Sequence, residues 1–280
     1  MRNPARAALD RWRRRPVRPP IASPARQGTD APGRFKVGVQ LHPQATTIGD
    51  LRAAWRAADE LGVDSIWTWD HFFGLYGSPN TANFEAWTLL GAMAVETHHA
   101  MFGVLVSSSS YRNPDLLADM ARTIDQLSGG RLYLGLGAGW FQRDYDEYGY
   151  PFGTAASRLR DLGAALPRVK ARLAQLNPPP VGRLPLLIGG GGEKVTLRLV
   201  AEHADAWNTF GPVESYAHKN RVLDDWCARV GRDPTAIERT VAIDPSATRR
   251  ADDFVAAGAE HIIVMIGHPF DLSSVKRLLS

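Results

Sequence analysis

From Phe35 onward the chain repeats one unit: a short apolar run, a loop, then a stretch with apolar residues at helical spacing. The runs are FKVGVQL (35–41), SIWTWD (65–70), MFGVLVS (101–107), RLYLGLG (131–137), LPLLIG (184–189), ADAWNTF (204–210), RTVAI (239–243) and HIIVMI (261–266). They are nearly continuous rather than alternating, the pattern of parallel strands covered by helices. Behind the first run, Leu51, Ala54, Trp55, Ala58 and Leu61 share a helical face, and Gly62 closes it. Behind the third, Asn113-Pro114 reads as N-cap and first turn. Leu117, Met120, Ile124 and Leu127 form the stripe, and Gly129-Gly130 ends it. Behind the fourth, Leu159, Leu162, Leu166, Val169 and Leu173 form another stripe that stops before NPPP at 177–180. Eight such units in residues 34–280 predict an α/β chain folded as a (β/α)8 TIM barrel, for which about 250 residues are typical. An open doubly wound sheet is the alternative.

Composition narrows the class. At 44% hydrophobic and 22% charged residues the chain is ordinary for a globular protein. No apolar run approaches the roughly 20 residues needed to span a membrane, so a cytoplasmic protein without membrane contact is expected. One cysteine, Cys227, excludes an intrachain disulfide, and Leu223, Trp226 and Val230 place it on a packed helical face. No Cys/His cluster has metal-ligand spacing. Residues 1–33 hold eight arginines against Asp10 and Asp30, a net of +6. The whole chain carries +4, so residues 34–280 hold a net of about −2. The basicity therefore belongs to an Arg/Pro-rich extension, expected to be disordered, and does not imply a nucleic-acid partner. Arg13-Arg14-Arg15 has no apolar segment behind it, which argues against an export signal.

In a barrel the chemistry lies at the C-terminal ends of the strands, so the residues ending each run matter most. They are Asp70-His71, the serines Ser107 to Ser110, Gly137-Ala138-Gly139-Trp140, Gly189 to Gly192 with Glu193 and Lys194, and Asn208 to Gly211. Four glycines leading from a strand into a helix let a ligand approach the backbone, and the helix N-terminus favours an anion, which together suit a phosphate. Neither a P-loop nor a dinucleotide fingerprint fits the spacing. Glu193 is expected in the first turn of that helix. His71 is the candidate proton carrier, with Asp70 orienting it or bonding the polar edge of a ligand. His42 is a weaker candidate. Glu85 early in a helix is explained by capping or dipole stabilisation as well as by chemistry, and His98-His99 is expected in solvent. Lys36 and Lys194 are poorly placed for Schiff-base chemistry, which disfavours a lyase barrel.

Taken together, GVQLHPQ (38–44), ADELGVDSIWTWDHF (58–72), FEAWTLL (84–90), VLVSSSSYRNPDLLADMARTIDQLSGGRL (104–132), GLGAGWFQRDYDEYG (135–149) and LIGGGGEKVTLRLVAEHADAWN (187–208) resemble the luciferase-like monooxygenase superfamily. The WDHF and YRNP…LSGGR pieces look most like its oxidoreductases that use the deazaflavin coenzyme F-420. The resemblance spans about Phe35 to Leu279. It implies a barrel with coenzyme F-420, or FMN in sister families, across the strand C-termini. The ring would rest on a bulge near Val104, Leu105 and Val106, often built on a non-proline cis peptide, and Ser107 would follow it. Asp70 and His71 would lie beside the reactive ring, and Gly137 to Trp140 and Gly189 to Glu193 would hold the phosphate-bearing part. Two departures stand out: Trp140-Phe141 replaces a glutamate, and Leu75 a tryptophan, of the related sugar-phosphate dehydrogenases. These argue against a sugar phosphate. The implied activity is hydride transfer between F-420 and a small organic substrate, in a homodimer. The alternative is an FMN-dependent monooxygenase served by a flavin or deazaflavin reductase. A non-catalytic deazaflavin carrier would keep the glycines without needing His71.

Overall fold

The computed structural model describes residues 35–280. The Arg/Pro-rich segment 1–33 and its expected disorder lie outside the described residues. Strands β1 (Lys36–Leu41), β2 (Ser65–Thr68), β3 (Met101–Val104), β4 (Ser107–Ser108), β5 (Leu132–Gly137), β6 (Leu186–Gly189), β7 (Ala206–Thr209), β8 (Glu238–Ile243) and β9 (His261–Ile266) are all parallel. β3 and β4 are two halves of one barrel strand, and both pair with β5, which closes the sheet. The result is the expected closed eight-stranded TIM barrel. The helices are α1 (Ile48–Leu61), α2 (Ala86–Glu96), α3 (Pro114–Ser128), α4 (Gln142–Tyr148), α5 (Ala155–Leu173), α6 (Thr196–His203), α7 (Val213–Val230), α8 (Ala251–Ala256) and α9 (Ser273–Leu279).

Local signals explain the helix boundaries. Thr47 caps α1 and Gly62 ends it in the left-handed region. Asn113 caps α3 ahead of Pro114, and Gly129 ends it. Thr154 and Ser157 form a capping box at the start of α5. Cys227 is buried on α7 as expected. Three expectations need correction. Leu127 is exposed, because the buried face of α3 is carried by Leu117, Ala118, Ala121 and Ile124. α4 was not foreseen, since seven mostly polar residues show no apolar stripe. α6 begins at Thr196, so Glu193 precedes it rather than occupying its first turn.

Strand alternation divides the core. Val37, Val39, Phe102, Leu134, Ile188, Val241 and Ile262 face the helices, whereas Trp67, Tyr133, Leu187, Ala206 and Ile263 fill the barrel. Toward the C-terminal ends the inward positions become small or polar: Gly137, Gly189, Ala242, Gln40 and Asn208. The barrel is therefore plugged at one end and hollow at the other.

The plugged end rests on a buried polar floor. Ser65 Oγ lies 2.8 Å from His261 Nε2, and Trp67 Nε1 donates to Ser65 Oγ at 2.6 Å. Glu238 meets His261 Nδ1 at 3.1 Å and accepts from Tyr133 at 2.7 Å and Lys36 at 3.0 Å. Burial pushes the Glu238 carboxyl up, but His261, Lys36 and Tyr133 outweigh it and hold the group well below the usual carboxylate range. A depressed carboxyl stabilises the fold above its unfolded value and loses that contribution as pH falls through its folded value. Glu238→Gln is thus expected to cost about 3 kcal/mol at pH 7, with the gap to wild type narrowing below about pH 4.3. Urea midpoints at pH 7 and at acidic pH check this; a gap unchanged across that range would sink it.

Candidate active site

The hollow end forms a cavity of about 270 Å³. Leu105 and Val106 make one wall, and their peptide bond is cis, within the stretch where the resemblance places such a bond. Gln40 Nε2 donates to Leu105 carbonyl at 3.0 Å, tying this bulge to β1. Glycine opposite it is a steric demand: a Cβ on Gly137 would lie 2.7 Å from Val106, and one on Gly189 2.9 Å from it. Gly139, at φ +78, leaves room for the Tyr145 hydroxyl, which a Cβ would meet at 1.9 Å.

His71 lines this cavity, and its partner is not the one expected. Its Nδ1 lies 2.6 Å from Asp144 Oδ2, across 73 residues of chain. Asp144 is fully buried on α4 and also accepts from Tyr111 hydroxyl at 2.7 Å and Phe72 N–H at 3.0 Å. Burial and the Asp144 carboxylate push the Tyr111 hydroxyl well above its usual range, so it remains a neutral donor. An acceptor at Nδ1 holds the ring proton there, so Nε2 is the nitrogen free for a ligand. Asn83 donates to the His71 carbonyl, and Trp140 and Phe141 flank the imidazole edge-on, each with its centroid 5.6 Å away.

Asp70 does not orient His71. Its carboxylate, 1% exposed, takes both Nη atoms of Arg112, and Arg112 Nη2 also reaches Glu85 Oε1 at 2.6 Å. Burial pushes the Asp70 carboxyl up, against the pull of Arg112. Glu85 caps α2 through the N–H groups of Trp87 and Thr88, so of the two roles open to it the structure shows the capping one. One arginine thereby ties the end of β2 to the start of α2.

Of the other expected site residues, Gly137, Ala138, Gly139, Trp140, Gly189 and Gly190 line the cavity. Val104 and Ser107 do not: Val104 faces the helices, and Ser107 is buried against the Trp87 indole, which donates to it at 2.8 Å. Gly191, Gly192 and Glu193 also stand outside the lining. Glu193 is exposed and pairs with His218 at 3.2 Å and Lys219 at 3.7 Å. His42 packs behind Trp69, ring centroids 4.3 Å apart, and burial lowers its pKa to about 4, so it is a core imidazole outside the cavity. His98 and His99 are exposed as expected.

Sequence reasoning placed Ser108, Asn208 and Phe210 on the rim without giving them a role, and missed Gln40, Tyr111, Arg112, Asp144 and Thr196. Asp144, Tyr145 and Tyr148 do share a helical face in the quoted stretch QRDYDEYG, a signal that could have located α4. Behind the two glycine stretches stand cations. Arg158 Nε donates to Gly139 carbonyl at 3.0 Å, and Lys219 Nζ to Gly191 carbonyl at 2.6 Å. Among the described residues no helix is long and apolar enough to cross a membrane, and no His/Cys/Asp/Glu group could hold a metal ion.

Comparison with known proteins agrees with the barrel fold. A sequence model of the luciferase-like monooxygenases matches residues 33–273. A phthiodiolone/phenolphthiodiolone dimycocerosates ketoreductase of Mycobacterium tuberculosis is 27% identical over 265 residues, covering 81% of this chain and 68% of the relative. Among solved structures, an F420-dependent secondary alcohol dehydrogenase in complex with an F420-acetone adduct superposes with a TM-score of 0.77 at 16% identity. That match covers 87% of this chain and 96% of the other. The oxygenating constituent of 3,6-diketocamphane monooxygenase of Pseudomonas putida, in complex with FMN, matches with a TM-score of 0.59 at 16% identity, over 78% of this chain and 71% of the other.

Proposed function

Because the chain belongs to the luciferase-like monooxygenase family, we propose that it is an oxidoreductase moving a hydride between coenzyme F-420 and a small organic substrate. The observation that carries this reading is the anchoring of His71. Asp144 holds Nδ1, and Nε2 is left to serve a cavity walled by the Leu105-Val106 bulge.

The cavity residues fit a deazaflavin or flavin ring. The bulge supplies an apolar surface, and Gln40, Ser108 and Asn208 supply polar partners for a ring edge. At about 270 Å³ the cavity lies below the roughly 300 Å³ at which whole-ligand pockets begin, which suits a ring system with its tail on the rim. Gly137 to Gly139, Gly189, Gly190 and Thr196 would receive that tail, with Arg158 and Lys219 adding positive charge behind. When bound, the coenzyme supplies hydride chemistry. The protein's part is to hold the ring against Leu105-Val106 and to handle the substrate proton at His71 Nε2. Asp144 keeps the other ring nitrogen protonated, and Asp70, neutralised by Arg112, adds a polar wall. Homodimer assembly belongs to this reading, supported by Val95, Leu116 and Leu127 left exposed on α2 and α3.

The test is a fluorescence titration of purified protein with F-420 and, separately, with FMN. Tight F-420 binding and weak FMN binding are expected. Tight FMN binding without F-420 binding would replace this reading with an FMN-dependent monooxygenase that draws electrons from a reductase partner.

A further inference from the structure

Two side chains of the cavity have a fixed hydrogen-bonding sense. Ser108 lines the cavity, and its Oγ lies 2.7 Å from the hydroxyl of Tyr145. Tyr145 is fully buried on α4, and Ser108 is the one partner of its hydroxyl among the described residues. A buried phenol O–H without an acceptor is costly, so Tyr145 is the donor of this pair. The Ser110 N–H also donates to Ser108 Oγ, at 3.3 Å. Both lone pairs of that oxygen are thereby occupied. The Ser108 proton itself has no acceptor among the described residues and is left to the cavity.

Gln40 has the opposite sense. Its Nε2 donates to the Leu105 carbonyl, and a carbonyl can only accept, so the amide cannot be turned round. Gln40 Oε1 meets no donor among the described residues, and Gln40 lines the same cavity. Both residues stand at the cis bulge, Gln40 through its bond to Leu105 and Ser108 three residues further along the chain. Asn208 differs: its amide lies 2.7 Å from the Thr240 hydroxyl, a group that can donate or accept, so this bond fixes no sense.

We propose that Ser108 and Gln40 read a lactam edge on the ligand. Ser108 donates to a ring carbonyl, and Gln40 Oε1 accepts from the ring N–H beside it. Tyr145 is the positioning residue that turns the Ser108 proton toward the ring. This rests on the ring-binding reading above. Flavin and deazaflavin rings share such an edge, so the assignment holds for either one.

The experiment is a fluorescence titration with 8-hydroxy-5-deazariboflavin and with riboflavin, each set against its N3-methyl derivative. Whichever parent ring binds, its N3-methyl derivative should bind at least about tenfold more weakly, the scale of a buried acceptor deprived of its donor. Gln40→Met keeps the volume without the acceptor and should bring that ratio below about threefold. The ratio is internal to each variant, so general damage does not imitate the effect. Ser108→Ala should weaken the parent ring by about fivefold to tenfold and leave the ratio as in wild type. In infrared difference spectra of the bound ring, Ser108→Ala should move a carbonyl band to higher wavenumber. Tyr145→Phe should move the same band part of the way, through lost polarisation of the Ser108 hydroxyl. Equal binding of parent and N3-methyl rings by the wild type, or a full ratio in Gln40→Met, would overturn the Gln40 assignment and leave the ring-binding reading standing. An unmoved band in Ser108→Ala would overturn the Ser108 assignment. Binding of neither parent ring would overturn the ring-binding reading and this inference with it. The wild-type ratio and the Ser108 band decide the matter even where Gln40→Met binds no ring.

Discussion

His71→Ala is expected to lower turnover by about 10²–10⁴-fold, the usual scale for loss of a positioned general acid–base, while F-420 still binds. That range corresponds to about 3–5 kcal/mol of barrier. The expectation follows from geometry: His71 meets the cavity, and its Nδ1 is committed to Asp144 at 2.6 Å. Turnover followed by F-420 absorbance, with binding followed separately by fluorescence, separates catalysis from affinity. Unchanged turnover would remove His71 from the mechanism, and unchanged binding with no turnover in the wild type would favour a deazaflavin carrier. Asp144 is a positioning residue in this scheme. Asp144→Asn keeps the shape but can present an amide N–H to Nδ1, favouring the other tautomer. It should lower kcat more than it raises KM and alter the pH profile, which loss of packing alone would not do.

The second large effect is on stability. Arg112→Ala should cost about 3–5 kcal/mol in denaturant unfolding, because it leaves the buried Asp70 carboxyl without its partner. For a chain of this size that lowers Tm by about 10 °C. Arg112 also braces Glu85 at the start of α2, so the loss should reach beyond the cavity. Asp70→Asn placed in the same background should recover part of the deficit, since no ionisable group is then left buried without its partner. A deficit that persists in full in the double variant would show that Arg112 acts through packing on Trp87, whose ring lies 5.8 Å from its guanidinium, and not through Asp70.

Much of this molecule was legible before any coordinates. Eight near-continuous apolar runs specify eight inward-and-outward strands, and Asn113-Pro114, Gly62 and Gly129 mark helix ends by local conformational preference alone. The same runs placed His71 and the glycines of the fourth and fifth units on one rim. The missed elements share a cause. α4 is short and polar, so no periodicity announces it, and α6 starts four residues after the last of the glycines. Glu193 accordingly sits in the exposed turn before that helix.

Adjacent acids and imidazoles invite a local pairing, and Asp70-His71 is such a case. The chain instead sends the two side chains to partners 42 and 73 residues away. Sequence determined the barrel, the rim and the histidine, because strand periodicity and capping act over a few residues. Only the tertiary structure decided that Asp144 orients His71 and that Arg112 neutralises Asp70. It also decided that Val106 makes glycine obligatory on two neighbouring strands. Those outcomes depend on which side chains a closed barrel brings within 3 Å of each other, a distance no local spacing encodes.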